Sequence, residues 1–410
     1  MRTIHLKKLT FLIFGLLVLH AQGQVTIGSN NAPNKGALLD LKETVDGNSN
    51  KGLILPRVAL NSLTTTVTDL KVTINGSVGS IPWDINEHIG LMVYNTNEDR
   101  CAATPIYKGL YVWNGQTWQY LGQTNQPSPS VYEVSDPRDS EVYLARSFGA
   151  AGDWMLENIR YDPIIHPYTG FTGFTHTANS AVSPYTNKYF AYAEGDTNPY
   201  IPANHPSSDW RLKIKNGLLY NWAAATNGEN PSVANQGQTP TGTDPVASVQ
   251  GICPNGWHVP SDKEWNDLER HIYNNAHLYS SYSESEKNTW VPWETVWEYG
   301  TSFPGYGWRP SSTATNAQGA AIKSVCPPNG NSTVTNGKSF SALLGGFNAL
   351  LAGYASGGST GNYGYGCFFW SSSSSGNSNA WFRNLTDSNA SVYRFENSRS
   401  FMFFVRCKKN

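Results

Sequence analysis

The chain is poor in charge. Asp, Glu, Lys and Arg together make up 14 % of 410 residues, and 29 basic residues stand against 30 acidic ones. No cluster of lysines and arginines could track a phosphate backbone or an anionic lipid surface, which argues against nucleic acid or membrane as partner. The histidines are scattered, with neither an H-E-x-x-H run nor a pair at i, i+4, and there is no C-x-x-C, so a metal site has no support. No nucleophile elbow and no phosphate-cradling Gly-rich turn is recognised. The readings are therefore no catalytic residue, no metal and no cofactor. Long apolar runs are equally scarce. Leu9 to Leu19 is apolar but too short to cross a bilayer, and no other stretch comes near.

That one run has the setting of a secretory leader. Arg2, Lys7 and Lys8 precede it, and Ala21-Gln22-Gly23 offers small residues at a cleavage site, so Met1–Gly23 reads as a signal peptide and Gln24 as the mature start. A retained membrane anchor is the weaker alternative because the apolar core is short. The residue directly after the cleavage site is Gln24 and not cysteine, so lipid attachment is not supported. An exported chain can keep disulfides, and all five cysteines (Cys101, Cys253, Cys326, Cys367 and Cys407) lie beyond the leader. Four of them fall in the C-terminal part, and spacing alone does not choose among the three pairings.

What the chain does have is glycine and aromatics: Gly 38, Tyr 22 and Trp 14. Its length makes two domains the natural expectation. From Gln24 to Gly122 short apolar runs recur, among them Leu53-Ile54-Leu55, Leu91-Met92-Val93-Tyr94 and Leu110-Tyr111-Val112-Trp113. Asn114-Gly115 before Thr117-Trp118-Gln119-Tyr120 reads as a hairpin with a type I′ turn. Residues 123–140 read as a Pro/Ser linker. Beyond it, Glu141–Leu144 and Trp154–Leu156 read as strands, Pro163–Pro206 as a long ordered loop, and Gly217–Thr226 as a helix. Three strand-like segments follow Cys367, with a final strand from Phe401 to Lys408.

The most informative stretch is Cys253-Pro254-Asn255-Gly256-Trp257-His258-Val259-Pro260-Ser261-Asp262-Lys263-Glu264-Trp265. A stiff turn leads into a short strand. Pro260 ends the strand, and Ser261 with Glu264 forms a capping box that opens a helix to about Asn275. Trp265, Leu268 and Ile272 share one face of that helix. His258 is read as packing beside Trp257 with a structural hydrogen bond, since no nucleophile or orienting group accompanies it.

This stretch resembles the hallmark of the Fibrobacter succinogenes major paralogous domain. Trp154–Ile159, Gly217–Ala225, Phe340–Gly346, Phe369–Ser373 and Val405-Arg406-Cys407 match in the same order. The resemblance implies an α+β, C-type-lectin-like domain over 141–410, preceded by a smaller mostly-β domain over 24–122. The run from Lys51 to Trp118 is similar to collar or stalk segments of exported Bacteroidetes adhesin-like proteins, which implies homo-oligomerisation through 24–122. By the same resemblance the last strand is tied back to the early helical region, giving Cys253–Cys407 and Cys326–Cys367. Cys101 is then left as a buried thiol or an intermolecular bridge.

Two functions follow. The first is an exported, non-enzymatic, adhesin-like protein, at the cell surface, in the periplasm or secreted, that presents a lectin-like domain to a glycan or protein. The alternative is an enzyme on the formylglycine-generating variant of the fold, which needs two neighbouring reactive cysteines late in the chain. Sugar-binding C-type lectins carry Glu-Pro-Asn or Gln-Pro-Asp in a loop and Trp-Asn-Asp in a strand, for which Trp381–Asn384 is no substitute; nothing in the sequence predicts calcium, although loop carbonyls and Asp or Asn oxygens can supply its ligands. In lectin-like domains the ligand meets the long loop region, here about Tyr279 to Gly366. The aromatics and the cation there nominate Trp293, Trp297, Trp308 and Arg309 as ligand contacts by stacking and hydrogen bonding.

Overall fold

The computed structural model describes residues 25–77, 79–99, 101, 106–122, 130–177, 185–193, 216–230, 248–298, 306–328 and 336–410. The expected leader, and the 123–129 part of the expected linker, lie outside the described residues. The chain divides into two units, Met1–Asn97 with Lys108–Gln119, and Glu98–Tyr107 with Tyr120–Asn410.

In the first unit the apolar runs become short strands. β1 (Val25–Ile27) and β2 (Leu39–Leu41) form a two-stranded parallel sheet by themselves. β3 (Arg57–Val58), β4 (Met92–Asn95), β5 (Gly109–Trp113) and β6 (Trp118–Tyr120) form a second sheet in that order. Strand alternation turns Val93, Asn95, Tyr111, Trp113 and Trp118 inward, where Leu60 and Leu70 are also buried. Each buried indole N–H finds an acceptor: Trp113 donates to the Ile85 carbonyl at 2.7 Å and Trp118 to Thr73 Oγ1 at 2.9 Å. The hairpin between β5 and β6 forms, but not through a type I′ turn. Gly115 has φ +98° while Asn114 has no positive φ. Asn114 instead accepts the backbone N–H groups of Gln116 and Thr117 on its side-chain oxygen, at 2.9 and 2.8 Å.

The second unit opens with β7 (Val131–Ser135), β8 (Val142–Ser147) and β9 (Asp153–Met155). β7 pairs with β8, so this unit's sheet already begins inside the stretch expected to be linker. Next come β10 (Phe174–His176), β11 (Lys188–Tyr192), β12 (Leu218–Asn221), the one-turn helix α1 (Trp222–Ala225), β13 (Trp257–His258) and the long helix α2 (Asp262–Asn274). The remaining strands are β14 (Gly307–Arg309), β15 (Ala352–Ser356), β16 (Ser359–Tyr363), β17 (Gly366–Ser375), β18 (Asn379–Thr386), β19 (Val392–Ser398), β20 (Met402–Phe403) and β21 (Lys408–Lys409). They build one sheet in the order β13-β21-β9-β8-β7 and a large one in the order β10-β11-β12-β20-β15-β17-β18-β19-β14, with β16 paired to β15.

The large sheet separates two apolar cores. Phe369, Cys367, Leu385 and Val392 face one that includes Trp265, Leu268 and Ile272 of α2. Trp370, Phe382 and Ala380 face the other, with Trp222, Trp257 and Phe403. The capping box at the start of α2 is complete, with Ser261 and Glu264 each satisfying the other's backbone N–H.

Several expectations are corrected. Gly217–Thr226 is not one helix: Leu218–Asn221 pairs with β11 and β20 and is buried on both faces, and only then does Asn221 cap a helical turn through Ala224 N at 3.0 Å. Pro163–Pro206 holds β10 and β11, with its other parts partly outside the described residues. The final strand is two short ones, β20 and β21, which serve different sheets.

The cysteines are corrected too. Cys253 is bonded to Cys407, with Cα atoms 5.9 Å apart, but Cys326 is bonded to Cys101, at 5.4 Å. Cys367 is a free thiol on β17. It is fully buried among Phe369 and Leu385, and burial pushes its pKa up to about 12.

Candidate functional site

Neighbouring residues in β14 to β19 point to opposite sides of the large sheet, and the two sides carry different chemistry. The register sets Trp308 opposite Tyr393, Phe382 opposite Phe395, and Asn384 opposite both Tyr393 and Phe368. These residues share one face, and Trp370, opposite Phe382, joins them. Arg309, Arg394 and Arg383 alternate with them and share the other face.

The second face is ionic and sealed. Arg309, Arg383 and Arg394 are at most 1 % exposed, as are Asp262 and Glu269 of α2. Asp262 Oδ1 accepts from Arg383 Nη1 at 2.6 Å, and its Oδ2 accepts from Arg394 Nη2 at 2.5 Å. Glu269 Oε1 accepts from Arg383 Nε at 2.6 Å and also from Arg309 Nη2. Asn266, one turn along α2, accepts from Arg309 Nη1 at 2.7 Å and Arg383 Nη2 at 2.8 Å. Burial alone would raise the pKa of Asp262, but Arg394 and Arg383 outweigh it and hold the carboxyl well below the usual range. Burial brings the Arg309 guanidinium down to about 9, which leaves it charged at neutral pH. The network clamps α2 to three adjacent strands of the sheet.

The first face is aromatic and partly exposed, its half-buried rings packed on the core beneath. Trp308 lies 4.8 Å from Tyr393, ring centre to ring centre, and Tyr393 stacks on Phe395 at 5.0 Å. Tyr306 lies 4.0 Å from Phe395. Phe382 bridges Phe395 to Phe368, at 6.4 and 6.1 Å, and Tyr354 and Phe401 continue the path at 5.0 and 5.7 Å. Phe382 is buried, but Tyr306, Trp308, Tyr354, Phe368, Tyr393, Phe395 and Phe401 are only half-buried. Asn384, 6 % exposed, sets an amide among the rings and donates to the Cys367 carbonyl at 3.1 Å. Such a surface can stack flat rings or aliphatic stretches and has little charge to offer.

The nominated residues divide accordingly. Trp308 belongs to the aromatic face. Trp297 is 2 % exposed, Arg309 is 0 % exposed, and Arg309 spends an N–H on the Trp297 carbonyl at 2.9 Å. Neither can reach a ligand, so their expected role is withdrawn. Trp293 is half-buried and packs with Trp297 and Tyr273, at 5.4 and 5.6 Å, with its indole donating to Glu298 Oε1 at 2.8 Å. This loop closes over α2. Tyr393 and Phe395 were missed as surface residues, although the alternation Val392-Tyr393-Arg394-Phe395-Glu396 carried the signal.

Other motifs resolve into scaffold. His258 is 4 % exposed and sits between Asn410 Oδ1, at 2.7 Å, and Glu264 Oε1, at 3.0 Å. Trp265-Asn266-Asp267 has the letters of a lectin calcium motif, but it lies on α2 with Trp265 and Asn266 buried. Gly357-Gly358-Ser359-Thr360-Gly361 has the letters of a nucleophile elbow. Ser359 nevertheless opens β16 in a hairpin with β15, not a strand-to-helix turn. Among the described residues no group of three or more His, Cys, Asp or Glu is placed to hold a metal ion.

A sheet protein with a disulfide at its closing strand, a helix clamped by buried arginines and a partly exposed aromatic face is a class of scaffold, and the family follows. The Fibrobacter succinogenes major domain model matches residues 150–409, more than half the chain, and the protein belongs to that family. A second model, the phage tail like trimerisation region, matches residues 26–132. No curated protein and no solved structure matches.

Proposed function

We propose that this chain is an exported, non-enzymatic binding protein. Its C-terminal unit takes a glycan or a protein segment on the aromatic face, and its N-terminal unit assembles copies of the chain. The observation that carries the reading is the row of half-buried rings Trp308, Tyr393 and Phe395, continued across the buried Phe382 by the half-buried Phe368 and Tyr354. Partly exposed aromatics on a rigid sheet are a common basis for stacking recognition, whereas rings needed only for packing are usually covered. Two disulfides fit an oxidising, extracytoplasmic setting, and no helix among the described residues is long and apolar enough to cross a membrane. The match to a trimerisation region supports assembly through the N-terminal unit.

The C-type-lectin-like reading of residues 141–410 rests on the family resemblance. It is supported by the long helix against a sheet and by Cys253–Cys407, which ties the last strand to the segment before that helix. The enzyme alternative has less behind it. Cys326 and Cys407 are each in a disulfide, and burial holds the Cys367 thiol protonated.

The test uses the whole protein on a panel of immobilised oligosaccharides and peptides. Trp308→Ala and Tyr393→Ala are expected to lose binding to whatever the wild type retains, with melting temperature changed by only a degree or two. Trp297→Ala, a buried ring, is expected to melt several degrees lower. Wild-type levels of binding in both surface variants would place recognition elsewhere.

A further inference from the structure

The N-terminal unit has two surfaces whose polarity is reversed. In the β1–β2 sheet, Val25 faces Leu39 and Ile27 faces Leu41 across the ladder, so these four side chains share one face. They are 41–57 % exposed, while Thr26 and Asp40 on the other face are more buried. A two-stranded sheet is marginal alone, and one that turns its apolar face to water is more so.

The second surface is the outer side of the β3–β6 sheet. Met92, Tyr94 and Leu110 are about 40 % exposed, and Leu53 and Ile54, in the extended chain before β3, are 65 and 81 % exposed. Register places Tyr94 beside Leu110 and Arg57. These residues, with Leu55 and Thr96, line an open groove of about 660 Å³. Its walls are apolar except for Arg57 and Thr96.

Apart from Val25, both surfaces lie in the part matched by the trimerisation region, and among the described residues neither is covered by its own chain. A three-fold ring is closed by heterologous contacts, in which one patch of each copy meets a different patch of the next. A pair of unlike, uncovered apolar surfaces on one unit meets that requirement, whereas a two-fold dimer would need only a single self-complementary patch. Resting on the proposed assembly through the N-terminal unit, taken as three-fold from the trimerisation-region match, we propose that the β1–β2 face of one copy seats in the Leu53–Leu110 groove of the next. Val25, Ile27, Leu39 and Leu41 fill the groove, and Arg57 lies at its rim.

The proposal is tested on the full exported chain by sedimentation and native mass. The face variant is Ile27→Asp with Leu39→Asp, and the groove variant is Ile54→Asp with Leu110→Asp. All four positions are well exposed, so far-UV circular dichroism and melting are expected to show folded chains. Wild type is expected to be a trimer and each variant alone a monomer. An equimolar mixture is expected to give a one-to-one heterodimer, because only one intact face and one intact groove then remain to meet. A monomeric wild type would remove the trimeric reading together with this one. A trimeric wild type whose variants also remain trimers would overturn the face-to-groove contact alone. Monomeric variants that fail to complement on mixing would mean that like surfaces meet like around the axis.

Discussion

Trp308 and Arg309 are adjacent in sequence and have opposite fates. The strand turns the ring to the partly exposed aromatic face and the guanidinium to the sealed one, where Glu269 and Asn266 hold it. Every ion pair in that sealed network depends on another. Asp262 neutralises both Arg383 and Arg394, so Asp262→Asn leaves three buried guanidiniums, Arg309, Arg383 and Arg394, with Glu269 as the one carboxylate remaining in the network. Removing one partner of a buried charge pair commonly costs about 3–5 kcal/mol. Asp262→Asn is therefore expected to lower the unfolding free energy by about that amount, read as a drop in denaturant midpoint at unchanged slope. An effect under about 1 kcal/mol would mean the network relaxes around the loss. Of this site the sequence disclosed little. Trp293 and Trp297 sit in a polar stretch with no strand or helix period, so the packing of Trp293 on Tyr273 and of Trp297 on Trp293 could not be read from spacing. The aromatic face was partly legible, because period-two alternation in β19 separates Tyr393 and Phe395 from Arg394.

At the scale of the element, α2 was the most legible part of the chain, because its start is written in local chemistry. Ser261, Glu264, and the apolar spacing of Trp265, Leu268 and Ile272 all agree. Leu218–Asn221 was misread because a short run buried on both sides has no period to distinguish strand from helix, and only pairing with β11 and β20 decides. Glu264 does more than cap. Its Oε1 accepts from His258 and from Lys408 Nζ, both at 3.0 Å, and its Oε2 accepts from Ser261 N at 2.8 Å. Burial would raise its pKa, but the hydrogen bond from His258 and the charges of His258 and Lys408 outweigh that and bring it down to about 2 from an ordinary 4.5. A folded pKa below the unfolded one adds stability above the unfolded value, and that stability is lost as pH falls through the folded value. Acid unfolding is therefore expected to show a loss on the order of 1–3 kcal/mol between about pH 4.5 and 2. Glu264→Gln is expected to flatten that part of the stability curve and to lower stability at neutral pH. Parallel wild-type and variant curves across this window would rule the contribution out.

At the scale of the whole molecule, the proposed binding and the proposed three-copy assembly would multiply each other. On the proposed reading a ligand on the half-buried rings is held by shallow stacking, and each such contact contributes on the order of 1 kcal/mol beyond its buried area. A single copy is then a weak binder. Three linked copies facing a surface that displays many ligands turn the second and third contacts into intramolecular events. Avidity of this kind commonly raises apparent affinity by about 10²–10⁴ without any new contact. The monomeric groove variant, Ile54→Asp with Leu110→Asp, separates the two effects, since its substitutions lie in the N-terminal unit and its aromatic face is untouched. With a soluble oligosaccharide or peptide taken from the binding panel, wild type and variant are expected to have the same Kd per chain. On a surface coated densely with the same compound, the variant is expected to dissociate about 10²–10⁴ times faster. Equal retention of the two proteins on the dense surface would mean that the copies do not engage together. A difference already present with the soluble compound would mean that assembly reshapes the aromatic face itself.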